Sequence, residues 1–149
     1  MAAPAPPSGT LMLTISGIRG IVGDSLTPQV VIKYVSAYAQ LQKTKGHGNL
    51  IILGYDTRPA VGWIKHCVMG ALAASGIEVL DIGVVPTPTV QLIVQERKAA
   101  GGIVVTASHN PQMWCGLKFI EYTGIFLNQE NCDAMFKEQP LVYAPHDKL

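Results

Sequence analysis

Thr106-Ala-Ser-His-Asn-Pro111 is the segment best suited to chemistry, because it sets a hydroxyl, an imidazole and an amide in succession after the apolar run Gly102-Ile-Val-Val105. Pro111 biases Asn110 toward extended backbone, so no helix can begin at once and Ser108 is expected on an exposed, directed turn. On these residues alone two readings stay open: a reactive serine, or a polar turn in which Ser and Asn bond their own backbone. A serine hydrolase is set aside. Ser108 and His109 are consecutive, and consecutive side chains of an extended chain point to opposite sides, which does not make a nucleophile–base pair. No G-x-S-x-G elbow occurs either. Gly17, Gly20 and Gly23 have the wrong spacing for a G-x-G-x-x-G dinucleotide loop, and there is no G-x-x-x-x-G-K-S/T phosphate loop.

Such a serine must be held by its neighbours, and past residue 10 strand-like and helix-like segments alternate. Residues 11–15 read as a strand leading into the glycine-punctuated stretch 16–23. Thr27-Pro28 reads as an N-cap with proline at the first helical position. The helix is expected to run to about Lys43, with Val31, Val35, Tyr38 and Leu41 on one apolar face. Leu50-Ile-Ile-Leu53 is an uninterrupted apolar run, as in a strand covered on both faces. A helix over 61–74, a strand over 78–82, a turn at Gly83-Val-Val-Pro-Thr-Pro88 and a helix over 89–98 precede the strand at 102–105. Residues 117–121 and 125–127 look like a hairpin, and Asn128 caps a last helix to about Glu138. The alternation predicts an α/β fold, a three-layer α/β/α sandwich with a mixed, mostly parallel sheet. Loops after Leu53, Ile82 and Val105 then leave one sheet edge together, where ligands of such folds gather.

Composition narrows the classes. With 48% hydrophobic residues in 149 the chain can bury one substantial core, and 14% charged residues leaves little surface charge. The formal net charge is +1 without a basic run, so no nucleic-acid partner is expected. No apolar run reaches the ~20 residues of a membrane span, and Cys67, Cys115 and Cys132 read as reduced thiols. Residues 1–10 carry Pro and Ala but no basic residue, which reads as a disordered leader rather than a secretory signal. A cytoplasmic location is expected.

Thr106-Ala-Ser-His-Asn-Pro111 followed by Gly116-Leu-Lys118 resembles the active-site loop of the α-D-phosphohexomutases, the superfamily of phosphoglucomutase, phosphomannomutase and phosphoglucosamine mutase. Ser16-Gly-Ile-Arg-Gly20, Gly54-Tyr-Asp-Thr-Arg58 and Gly83-Val-Val-Pro-Thr-Pro88 resemble three further signatures, in family order, over residues 11–138. The tail over 139–149, without a partner pattern, reads as a linker or cut end. The resemblance implies the first domain of such an enzyme. It implies a phosphorylated Ser108 that exchanges its phosphoryl group with a hexose phosphate through a hexose bisphosphate, with Mg²⁺ on the phosphoserine. It makes Lys118 a general base or electrostatic partner and Arg19 a phosphoryl contact. His109 becomes a proton carrier or a positioning histidine. Arg58 organises the loops by pairing with Asp56, Asn110 ties the loop down, and Ser16 belongs to the phosphate-side support.

The same resemblance implies further domains as partners, since a D-G-D-x-D-R magnesium loop does not occur here. Magnitudes agree: enzymes cleaving phosphate monoesters supply on the order of 20 kcal/mol or more. A general base contributes about 3–5 kcal/mol and one charge-stabilising donor about 3–4. Two positions depart from the common pattern. Cys115 replaces an Asn before Gly-x-Lys, exchanging an amide for a weakly bonding thiol near Lys118. Thr14-Ile-Ser-Gly17 replaces Gly-Thr-Ser-Gly, which is expected to loosen the Arg19 turn. The alternative reading is a stand-alone, non-catalytic domain that binds a sugar phosphate or a protein partner.

Overall fold

In a computed structural model that describes residues 10–149, the expected alternation becomes a six-stranded sheet with helices on both faces. The expected leader falls, but for its last residue, outside the described residues. The strands are β1 (Met12–Thr14), β2 (Gly17–Ile21), β3 (Leu50–Tyr55), β4 (Glu78–Val84), β5 (Gly101–Val105) and β6 (Trp114–Glu121). The helices are α1 (Pro28–Lys45), α2 (Val61–Ala74), α3 (Thr87–Glu96) and α4 (Gln129–Phe136). Sheet order is β1-β2-β6-β5-β3-β4. The sheet is mixed: β5, β3 and β4 pair in parallel, whereas β1, β2, β6 and β5 meet antiparallel.

Local chemistry explains most boundaries. Thr27 is extended and its hydroxyl accepts from the Val30 amide, with Pro28 following where no helical amide partner is needed. Asn128 caps α4 in the same way, accepting from Asn131 N. α3 begins at Thr87, two residues before the expected start, because extended Pro86 serves as its cap and Pro88 is tolerated in the first turn. The expected hairpin partner at 125–127 is reduced to a single bridge between Ile120 and Phe126.

β2 is the largest difference from expectation. The stretch that reads as a glycine-rich turn is a central strand wedged between β1 and β6. Its glycines serve close approach rather than turning. A Cβ on Gly17 would lie 1.9 Å from the Leu117 carbonyl oxygen, and one on Gly116 would lie 2.3 Å from that of Ile18.

The larger core lies between one sheet face and α1, α2 and α4, and includes Val35, Tyr38, Ile64, Leu72, Cys115, Leu117, Phe119 and Met135. Tyr38 is fully buried and its hydroxyl donates to Ile120 O at 2.6 Å. On the other face α3 packs on β3 and β5 through Ile52, Val90, Val94, Val104 and Ile120. That single helix leaves much of the β2–β6 half of this face without a covering helix. The segment expected to be a linker lies against α1 and α2: Ala144 N donates to Ala74 O, and Tyr143 and Ser36 bond through their hydroxyls.

Candidate active site

Parallel register builds the site's base. Tyr55 is paired with Val105, so the next residues, Asp56 and Thr106, leave the same sheet edge side by side. Asp56 N donates to Val105 O at 3.1 Å, and the Thr106 hydroxyl donates to Asp56 Oδ2 at 2.8 Å. The expected gathering of loops at this edge holds for these two. The 83–88 turn leaves the same edge of β4 and is tied to it through Val85 N and Tyr55 O.

Ser108 is exposed on the loop from β5 to β6 and has φ of 54°, in the left-handed region. That conformation costs a non-glycine residue roughly 1–2 kcal/mol, so something must hold it. Arg58 does much of this. Its guanidinium donates to four loop carbonyls: Ser108 at 2.9 Å, Asn110 at 2.7 Å, Pro111 at 2.8 Å and Trp114 at 3.1 Å. Arg58 Nε also pairs with Asp56 at 3.2 Å, and Arg58 N donates to the same carboxylate at 2.9 Å. A planar fork is what allows one side chain to serve so many acceptors.

Strand alternation brings the cations together. Ile18 and Leu117 face the larger core, so Arg19 and Lys118 project from the opposite, less covered face. With Thr14, Ser16, Thr106 and Leu117 they line a cleft of about 150 Å³, in which no carboxylate takes part. A cleft of this size has room for one small oxyanion. Burial, and then the Arg19 charge, hold the Lys118 ammonium below its ordinary pKa. An anion in the cleft would oppose both effects. Arg19 Nη1 donates to Asn110 Oδ1 at 3.1 Å, so both ends of the 106–110 loop meet this cleft. His109 is exposed beside Ser108, and none of the site's hydrogen bonds uses its ring.

Cys115 is fully buried in the larger core, and burial chiefly pushes its thiol up to about 11. Its side chain lies on the face opposite Lys118. Lys118 is placed by its register against Val104, not by the residue at 115. The Thr14 departure is accommodated too: its hydroxyl bonds Ser16 Oγ at 2.9 Å and Gly17 O at 3.3 Å, and β2 is paired on both sides. Among the described residues no three His, Cys, Asp or Glu side chains gather as metal ligands. Asp56, the carboxylate nearest Ser108 in the hydrogen-bond network, is already taken by Arg58 and Thr106. The residues present therefore do not fit a Mg²⁺ site by themselves.

Residues 12–138 match the family described as Phosphoglucomutase/phosphomannomutase, alpha/beta/alpha domain I. The chain belongs to that family. A phosphoglucomutase/phosphomannomutase of Thermococcus kodakarensis is 36% identical over 123 residues, covering 82% of this chain and 27% of its own length. A phosphoglucosamine mutase of Francisella tularensis subsp. novicida is 37% identical over 137 residues, covering 89% of this chain and 31% of its own. A crystal structure from Thermus thermophilus superposes with a TM-score of 0.78 at 34% identity, over 91% of this chain and 30% of that one. A Burkholderia thailandensis structure of the same family gives 0.73 at 25% identity, covering 84% and 30%. The chain thus spans less than a third of the relatives it matches, and its fold is that of the family's domain I.

Sequence reasoning missed Thr106 as part of the site. The available signal was that Thr106 follows directly on the apolar run 102–105 and Asp56 comes three residues after the run 50–53. Their contact depends on parallel pairing that no local pattern states.

Proposed function

We propose that this chain supplies the phosphoserine domain of a cytoplasmic phosphohexomutase, with Ser108 as the carrier of the phosphoryl group. The observation that carries the reading is an exposed serine held in left-handed backbone two residues beyond Thr106, which lines a cleft with two cations and no carboxylate. In the forward half-reaction a sugar hydroxyl attacks the phosphorus of phospho-Ser108. The P–O bond to Ser108 Oγ breaks, and the new P–O bond makes a hexose bisphosphate. Lys118, as general base, accepts the proton of the attacking hydroxyl, while Arg19 balances charge on the transferring oxygens. After the bisphosphate turns over, its other phosphoryl group returns to Ser108 and the proton returns to the departing sugar oxygen. Asp56, Arg58 and Asn110 hold the loop, Ser16 borders the cleft, and His109 is a secondary proton carrier. Any Mg²⁺ on the phosphate draws its remaining ligands from beyond these residues, as do the contacts that select the sugar.

The test is the mass of the protein isolated at natural length from its host, with and without Ser108→Ala. Expected are one phosphate on Ser108 and mutase turnover, both lost in the variant. Absence of phosphate with turnover surviving Ser108→Ala would falsify the reading, whereas neither phosphate nor turnover in the wild type favours a non-catalytic, ligand-binding domain.

A further inference from the structure

A closed ring of side chains surrounds the backbone of Ser108. Its amide donates to Thr106 Oγ1 at 3.0 Å. A backbone N–H can only donate, so the single proton of the Thr106 hydroxyl must point elsewhere, and it points to Asp56 Oδ2 at 2.8 Å. Asp56 then accepts from Arg58 Nε, and Arg58 Nη2 returns to the Ser108 carbonyl at 2.9 Å. The peptide groups on both sides of the Ser108 Cα are therefore held by one circuit, in which Thr106 and Arg58 both donate to the Asp56 carboxylate and Arg58 also donates to Ser108 O.

We propose that Thr106 is a positioning residue for Ser108, its hydroxyl closing this ring so that the left-handed backbone, and with it the serine side chain, keeps one orientation. The inference rests on the reading of Ser108 as phosphoryl carrier, but its geometric half stands apart from that reading. Thr106 also lines the cleft, so loosening it disturbs the loop on the side where transfer takes place. The strain of left-handed backbone at Ser108 and the net worth of one neutral hydrogen bond are of the same order. Loss of the Thr106 link is thus enough to let the serine leave the left-handed region while Arg58 still holds its carbonyl.

Thr106→Val keeps the shape and removes the hydroxyl, and Thr106→Ser restores it. Both are made in the natural-length protein and read in two ways. The backbone reading is amide exchange and chemical shift at Ser108. Thr106→Val speeds exchange by up to about tenfold, the factor given by a loss of 1.4 kcal/mol, and moves Ser108 out of the left-handed region, whereas Thr106→Ser does neither. The kinetic reading is kcat against KM for a hexose phosphate: Thr106→Val lowers kcat on the order of 100-fold, as a small misplacement does, with KM held, and Thr106→Ser recovers most of it. An unchanged Ser108 backbone in Thr106→Val overturns the inference whatever the activity. So does a kinetic loss that Thr106→Ser fails to recover. Wild-type protein without phosphate or turnover overturns the phosphoserine reading instead, and leaves the backbone comparison to decide the ring.

Discussion

Arg58→Lys removes the fork and keeps the charge, which makes it the most direct test of how the serine loop is held. Lysine can still approach Asp56, but its one nitrogen cannot reach four carbonyls that a guanidinium serves with two. The bonds to Pro111 and Ser108 are exposed, and water replaces them at little cost. Those to Asn110 and Trp114 are partly buried. Bonds from a charged donor contribute about 1.5–3 kcal/mol each, so losing these two costs roughly 3 kcal/mol at the lower end of that range. For a chain of this size that corresponds to a fall in Tm of roughly 6–12 °C. Strain at Ser108 directs the damage, because the loop opens before the sheet does. Thermal unfolding measured with amide exchange over residues 108–114 separates the two levels. Faster exchange there, with slower change in β3 and β5, is the expected pattern. Exchange across 108–114 indistinguishable from wild type would show that Arg58 does not hold the loop.

Lys118→Met is expected to stabilise the fold near pH 7 while lowering phosphoryl transfer. The folded-state pKa of Lys118 is lowered by burial and by Arg19, so below it the charged lysine costs stability. That cost is relieved as pH rises through the folded value toward the ordinary 10.5. Denaturant unfolding should find the variant ahead at about pH 7 and the difference shrinking by about pH 10; a variant less stable than wild type near neutrality contradicts the assignment. Gly116→Ala would press a Cβ to 2.3 Å from Ile18 O and 3.2 Å from Arg19 Cα, both backbone atoms that cannot turn aside. A loss of about 3 kcal/mol, the upper end for overpacking, is expected in unfolding experiments. A neutral result would mean that β2 and β6 are not so closely paired.

The family's signatures acquire separate physical roles in this fold. Gly17 and Gly116 let β2 approach β6, and that approach carries Arg19 next to Lys118. Asp56 and Arg58 take no place in the cleft lining but hold the loop through its carbonyls. Asn110 joins the two halves by accepting from Arg19 while Arg58 holds its carbonyl. The serine is thus tied from the β3 side by Arg58 and from the β2 side through Asn110.

What the sequence determined by itself was whatever depends on near neighbours in the chain. The Thr27-Pro28 start of α1, the 61–74 span of α2, the Asn128 cap and the apolar runs of β3 and β5 were legible because caps, periodicity and burial act within a few residues. The motif residues could likewise be picked out by type and spacing, Ser108, Lys118 and Arg19 among them. Tertiary structure alone decided that 17–21 is a strand, since its glycines read as turn residues until β6 is seen against them. It also decided the left-handed backbone at Ser108 and the contact of Thr106 with Asp56. The contact follows from the pairing of Tyr55 with Val105, fifty residues apart in the chain, and the backbone at Ser108 is held by Arg58 from that same edge; such a register is settled by packing across the sheet, which no local propensity records.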